Sequence, residues 1–296
     1  MPDTPRRIVC FGDVIDDIVA IPRGPIRDDT DTPSSIRFQA GGSAANTAAW
    51  LGELGATVDF FGTVGQGDLD RHGRLLADGG VRAHLFGYEG IPTGTIVVIV
   101  EGERRTMLTE RGANSLLDPK WVTDELLAET AVVHITGHCL LNDAGPDAVS
   151  ELIARAKWAG VTVSVDPGSA GFIADYGVAK FLDAVAGADI LFPSLDEGRL
   201  LVGRETPELI AAGLGERFPT VVLTLGTAGV SVWREGLSMT VPAVETSVVD
   251  PTGAGDAFCA GFLAEWVESG DLEASAHAGS LVASRAVGVI GGRPPA

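Results

Sequence analysis

From residue 131 to the end, short apolar runs alternate with helical patterns, and no other feature of the chain constrains its fold so strongly. Residues 131–135, 161–165, 190–192 and 221–225 are strand-length runs rich in Val, Ile and Leu. Between the first two, the stretch 147–159 puts Val149, Leu152, Ile153 and Ala156 on one face at helical spacing. Residues 179–185 and the stretches after Pro193 and Pro207 are also helical, and helices at about 254–268 and 272–289 close the chain. Apolar strands that alternate with helices pack as a mainly parallel sheet covered on both faces. The runs 230–233 and 239–241, joined by a Gly-containing turn, read as an antiparallel pair. Upstream, 8–12 and 58–64 are further buried strands, and 65–80 is a Gly/Asp-rich loop with a short helix.

Residues 84–110 look different. The runs 96–100 and 105–109 flank Glu101-Gly102-Glu103 and predict a β-hairpin. Ile36, Phe38 and Ala40 alternate with polar neighbours, after a Pro-, Asp- and Thr-rich excursion at 21–35. Segments 18–40 and 91–110 are therefore expected to form a small sheet apart from the main core. No linker, repeat or low-complexity segment divides residues 1–296, so one domain is expected.

Chemistry concentrates at residues 247–262, where the β-branched pair Val248-Val249 runs into Asp250-Pro251-Thr252 and then Gly253-Ala254-Gly255-Asp256. Pro251 disfavours helix before it, and the glycines permit strained φ values and close approach to a ligand. A helix starting here would aim the free N–H groups of 253–256 outward, which makes an anion site from main chain. Asp256 stands in its mouth. A carboxylate there suits a base that takes a proton from a hydroxyl attacking phosphorus. The plainer reading is an acid near a helix start.

Elsewhere, Asp13, Asp16 and Asp17 follow the first strand, where α/β proteins bind ligands; solvated caps are the competing reading. After Gly41-Gly42, Asn46 is the odd polar group on a small-residue helix, either a satisfied amide or a ligand contact. His138 follows a buried strand and is read as a core histidine, with a pocket-facing role as the alternative.

The formal net charge of −19 and the presence of three lysines alone argue against nucleic acid as a partner. Three scattered cysteines in apolar contexts read as free thiols in a reducing compartment. Without a signal-peptide core or a bilayer-length apolar run, a cytoplasmic protein without membrane contact is expected. No lysine follows a glycine, so a Walker A loop is absent. The dinucleotide fingerprint fails at Phe258 and again at Asp70. Cys/His metal spacings and a Gly-x-Ser-x-Gly elbow are also missing.

Two separated stretches carry a family resemblance. Gly41-Gly42-Ser43-Ala44-Ala45-Asn46-Thr47-Ala48 with Leu54-Gly55, and Asp250 to Phe258, resemble the two signatures of the ribokinase-like (PfkB) carbohydrate kinases. Thr224-Leu225-Gly226-Thr227-Ala228-Gly229 resembles their nucleotide loop. The resemblance covers essentially the whole chain. It implies an α/β three-layer sandwich with a β lid, and a kinase that moves the γ-phosphoryl group of ATP to a sugar hydroxyl. On it, Asp256 resembles the general base and Gly253, Ala254 and Gly255 the anion hole. Asp13, Asp17, Gly41, Gly42 and Asn46 resemble acceptor contacts, and Thr224, Gly226 and Gly229 the ATP loop. Glu197 resembles a residue that helps hold Mg²⁺, whereas Ser194 stands where the family often has Asn. Val64-Gly65-Gln66-Gly67-Asp68 is irregular beside the family's Val-Gly-x-Asp. A monovalent cation such as K⁺ near the Asp250 turn is a further implication.

A neutral sugar is the first acceptor expected, given the acids. Arg104, Arg105 and Arg111 keep sugar acids and sugar phosphates in view, and Phe38, Phe86 and Tyr88 keep a nucleoside kinase in view. A non-catalytic sugar- or nucleotide-binding protein is the reading from another class. The lid edges would gain from pairing, which makes a homodimer through the lids an expected partner arrangement.

Overall fold

The computed structural model describes residues 6–101 and 104–295. In chain order it begins with β1 (Arg7–Phe11), β2 (Ile15–Pro22), β3 (Ser34–Gly41), α1 (Ser43–Glu53), β4 (Val58–Gly65), α2 (Leu69–Asp78), β5 (Val81–Tyr88), β6 (Gly94–Glu101) and β7 (Arg104–Glu110). It continues with α3 (Asp124–Leu127), β8 (Thr130–Thr136), α4 (Gly145–Trp158), β9 (Thr162–Asp166), α5 (Ala170–Tyr176), α6 (Val178–Ala184), β10 (Ile190–Leu191), α7 (Leu195–Val202) and α8 (Pro207–Gly215). It ends with β11 (Thr220–Thr224), β12 (Val230–Arg234), β13 (Leu237–Val241), α9 (Ala254–Ser269) and α10 (Leu272–Ala286).

The main sheet has the order β13-β12-β11-β10-β9-β8-β1-β4-β5. Neighbours from β11 to β5 are parallel, and β12 and β13 extend the sheet antiparallel. The period of two along β1 divides the core. Ile8 and Cys10 join the cluster under α1 and α9, while Val9 and Phe11 join the cluster under α4 and α6. β4 is buried along all eight residues, as a central parallel strand requires. Helices α9 and α10 pack closely because Gly261 has no side chain. A Cβ there would lie 2.7 Å from the Ala278 carbonyl oxygen. Larger residues at 261 would cost about 1–3 kcal/mol by overpacking. Among the described residues no helix is long and apolar enough to cross a membrane.

A second, four-stranded sheet has the order β3-β2-β6-β7 and forms the lid. Its segments match the expected ones, but its boundaries move. β2 starts at Ile15, so Asp16 and Asp17 lie within a lid strand and not in the loop after β1. Alternation sends them to opposite faces: Asp17 lines the cleft, and Asp16 is clamped by Arg71 through two bonds of 2.9 and 2.6 Å. Residues 84–88 belong to β5 at the edge of the main sheet, because they pair with β4. Helix α5 was not expected from the sequence. The hairpin turn predicted at 101–103 includes residues 102 and 103, which lie outside the described residues.

Chain direction sets where a site can form. After β1 the chain adds β4 and β5 on one side, then β8 to β11 on the other, so the order reverses at β1. Such a reversal opens a crevice at the carboxyl ends of the strands.

Candidate active site

The carboxyl ends of four parallel strands place the polar groups. Asp13 follows β1, Asp166 ends β9, Ser194 and Glu197 follow β10, and Thr224 ends β11. Helix α9 meets them end-on. Gly253 caps it in the left-handed region at φ 76°, and a Cβ there would come within 2.5 Å of the Gly292 backbone. Both the backbone angle and the passing chain demand glycine.

Two cavities adjoin at this helix end. One, of about 330 Å³, is lined by Asp13, Asp17, Gly42, Asn46, Asp166, Glu197 and Gly253–Asp256, with Ile96, Val98 and Met107 of the lid above. The other, of about 490 Å³, is lined by Thr224, Gly226, Gly229, Ala254 and Gly255 and by apolar groups such as Val248 and Val287. They share Thr224, Pro251, Ala254 and Gly255. A larger open groove, about 910 Å³, lies beyond the lid root beside Asp16, Arg71 and the 290–295 tail; it contains neither Asp256 nor the α9 terminus.

Asp256 sits in the smaller cavity's wall with both oxygens occupied. Ser43 Oγ donates to Oδ1 at 2.6 Å and Asn46 Nδ2 to Oδ2 at 2.8 Å. Part of its surface opens on the cavity, yet burial pushes its carboxyl up to about 7. The Ser43 and Asn46 bonds oppose that rise, and the charges of Asp13 and Asp17 add to it. Asp17 is raised to about 6 by burial and by Asp13, against the pull of Arg293. Asp13 accepts from the N–H groups of Ser43 and Ala44 at 3.1 and 3.3 Å. It thus caps α1, whose N-cap Gly42 has no side chain to do so.

Gly41 lines neither cavity, and its missing Cβ leaves room for the Asp17 carboxylate. The Ala254 N–H reaches back to the Pro251 carbonyl at 3.3 Å. The free donors of the α9 terminus are therefore better counted from Gly253, Gly255 and Asp256. Ser194 and Glu197 form a capping box at the start of α7. Glu197 Oε2 accepts the Ser194 N–H at 2.8 Å, so the serine that departs from the family's Asn has a structural use.

Three groups, Ser43, Asp166 and Arg293, were not singled out from the sequence, and Arg105, weighed there as an acceptor contact, takes another place. Ser43 stands one turn before Asn46 within the quoted motif. Asp166 ends a predicted strand, the rule that flagged Asp13. Its carboxyl is pushed well above its usual value by burial and by the charges of Glu197 and Asp256. Arg293, on the tail after α10, donates to the Gly41 carbonyl at 2.9 Å and to Asn46 Oδ1 at 3.4 Å. Burial pushes it down to about 10. Arg105 of β7 reaches the 250–252 turn. His138 lines the smaller cavity and packs on Phe172 at 5.2 Å, so the core reading gives way to the pocket-facing one. None of the three aromatics weighed as base platforms lines that cavity. Phe38 is 77% exposed on the lid, Phe86 stacks on Trp121, and Tyr88 Oη donates to the Leu116 carbonyl.

Comparison with known proteins finds relatives along nearly the whole chain. An ATP-dependent ribose-1-phosphate kinase of Halopiger xanaduensis is 32% identical over 291 residues, 94% of this chain and 92% of the relative. The adenosine kinase of Sinorhizobium meliloti superposes with a TM-score of 0.88 at 27% identity, over 99% of this chain and 97% of its own. Arabidopsis thaliana ribokinase, solved with ribose and ATP, superposes with a TM-score of 0.78 at 26% identity, over 97% and 94%. The sequence profile described as pfkB family carbohydrate kinase matches residues 5–296. With that match and a relative this similar along nearly its whole length, the chain belongs to the pfkB family of carbohydrate kinases, phosphotransferases with hydroxyl acceptors.

Proposed function

We propose that the chain transfers the γ-phosphoryl group of ATP to a hydroxyl of a small carbohydrate, with Asp256 as the general base. The observation that carries this is the position of Asp256. It lines the smaller cavity in the first turn of α9, next to Gly255 that both cavities share and near two acids, with its carboxyl raised to about 7. A base with that value is part ionised at neutral pH and can take a proton as the hydroxyl attacks. Ser43 and Asn46 hold its two oxygens, so its orientation is set before the acceptor arrives. The second cavity, with its two-glycine loop and apolar wall, is the nucleotide's place.

The remaining roles follow from charge and reach. The N–H groups of Gly255 and Asp256, at the positive end of α9, would stabilise negative charge on the transferring group. Asp17 from the lid and Asp13 from the floor would accept acceptor hydroxyls, and lid closure would exclude water. Asp166 and Glu197 suit Mg²⁺. Both carboxyls are raised, chiefly by burial, and neither has a basic partner within ion-pair distance among the described residues. Magnesium would neutralise phosphate charge there. At the Asp250 turn, where the resemblance implies a monovalent cation, Arg105 forms an ion pair with Asp250.

The acceptor reading favours a sugar over a nucleoside, because the cavity is small and neither Phe38, Phe86 nor Tyr88 lines it. The outer lid face adds a partner. Phe38, Ile18, Val97 and Leu108 form one row across its four strands, with Phe38 and Leu108 largely exposed. A sheet face can pair with its own copy by two-fold symmetry, so the partner we assign is a second chain. The acceptor class is tested by ³¹P NMR of products from Mg·ATP with pentoses, hexoses, sugar phosphates, sugar acids and nucleosides. A phosphorylated sugar is expected; a nucleoside monophosphate as sole product would overturn the assignment.

A further inference from the structure

We infer that Arg105 supplies, from the lid, the positive charge that the family resemblance assigns to a monovalent cation at the Asp250 turn, so that this chain works without K⁺. The guanidinium lies across the turn as a fork. Nη2 donates to Asp250 Oδ1 at 3.0 Å and Nη1 to Thr252 Oγ1 at 2.8 Å. The pair is largely sheltered, with side chains 29% and 16% exposed.

Donors crowd the Asp250 carboxylate, most of them on Oδ1. Oδ1 also accepts the Thr252 N–H at 3.0 Å and its hydroxyl at 2.7 Å, and Oδ2 accepts the Gly291 N–H at 3.0 Å. Three donors saturate Oδ1, which has two lone pairs, and Oδ2 carries one more. Three carbonyls around the turn are engaged too. Pro251 accepts from Ala254, Gly253 from Ala257, and Val287 from both Val249 and Asp250. A cation bound here would face a fixed positive charge at close range, at a carboxylate whose Oδ1 is already saturated.

The substitution has a physical purpose. An uncompensated Asp250 would oppose a phosphoryl group arriving at the α9 terminus, in a chain whose net charge is already −19. Arg105 cancels that charge and, through Thr252, fixes the peptide that leads into Gly253. Because β7 carries it, the cancellation comes with the lid.

The inference rests on the kinase reading only for its activity arm. The full chain is compared in KCl and in tetramethylammonium chloride at equal ionic strength, reading melting temperature and initial ADP formation. The native chain should show the same melting temperature and rate in both salts. R105M should lose about tenfold or more in rate in tetramethylammonium, as when a charge-assisted pair is removed. Its melting temperature should then rise with K⁺ or with low guanidinium. R105K, which keeps the charge, should stay insensitive to K⁺. A native melting temperature or rate that climbs severalfold or by several degrees with K⁺ would overturn the inference. So would an R105M protein with native rate and stability in tetramethylammonium. If no acceptor is phosphorylated, the kinase reading fails while the melting-temperature arm still decides this one.

Discussion

Replacing Asp256 with Asn should make the protein more stable while sharply slowing turnover, and the stabilisation should grow with pH. The carboxyl moves from an ordinary 3.8 in the unfolded chain to about 7 in the fold. The folded state therefore holds a proton that the unfolded state releases between those values, and folding is penalised progressively as pH rises through the window. A gap of about three pH units corresponds to a ceiling of about 4 kcal/mol above pH 7, at about 1.36 kcal/mol per unit. Asparagine removes the charge without losing the geometry. Its amide oxygen can accept from Asn46, while the Ser43 hydroxyl turns to accept from its amide. Between pH 5 and pH 8 the stability gap between variant and native protein should widen by about 2–3 kcal/mol. For a chain of this size that is roughly 4–10 °C in melting temperature. Differential scanning fluorimetry at both pH values reads it directly. A gap that stays constant from pH 5 to pH 8 would mean that Asp256 is an ordinary solvated carboxylate, and the case for a poised base would fall with it.

Ser43→Ala removes a bond that lowers the Asp256 value, so the acidic limb of the kcat profile should move to higher pH; an unmoved limb counts against the Ser43 contact. Gly253→Ala forces a Cβ onto the Gly292 backbone at a left-handed φ. It should cost about 1–2 kcal/mol or more in urea melts and at least about a hundredfold in kcat. Asp166→Asn relieves a buried, mutually repelling acid, so it should raise the melting temperature in EDTA and the Mg²⁺ concentration needed for half-maximal rate. Phe38→Glu should convert a dimer to a monomer in sedimentation velocity without lowering the melting temperature at low protein concentration.

The parallel sheet was legible because its signal is local: β-branched runs and helical spacing repeat within windows of a dozen residues. The lid was legible as a break in that rhythm, but β5 was drawn towards it because an edge strand has a mixed face and shows no continuous apolar run. Asp16 and Asp17 look alike in sequence; only the start of β2 at Ile15 decides which faces the cleft. Helix α5 has seven residues, too few to establish a period. The base and its glycine loop were readable because one short turn builds them. Arg293 was not, nor was the partner of Arg105, since the partners lie 247 and 145 residues away and nothing local marks a tail or a lid strand that folds onto the site. Asp166 was within reach, because the end of a parallel strand is the same position that drew attention to Asp13.

The most direct test of the central claim is single-turnover phosphoryl transfer by the native chain and by Asp256→Asn, with ATP affinity measured on both by calorimetry. Acceptor-dependent ADP formation should fall by about 10²–10⁴-fold in the variant while ATP binding is unchanged, as removal of a general base requires. Transfer at the native rate in the variant would show that Asp256 does not take the proton.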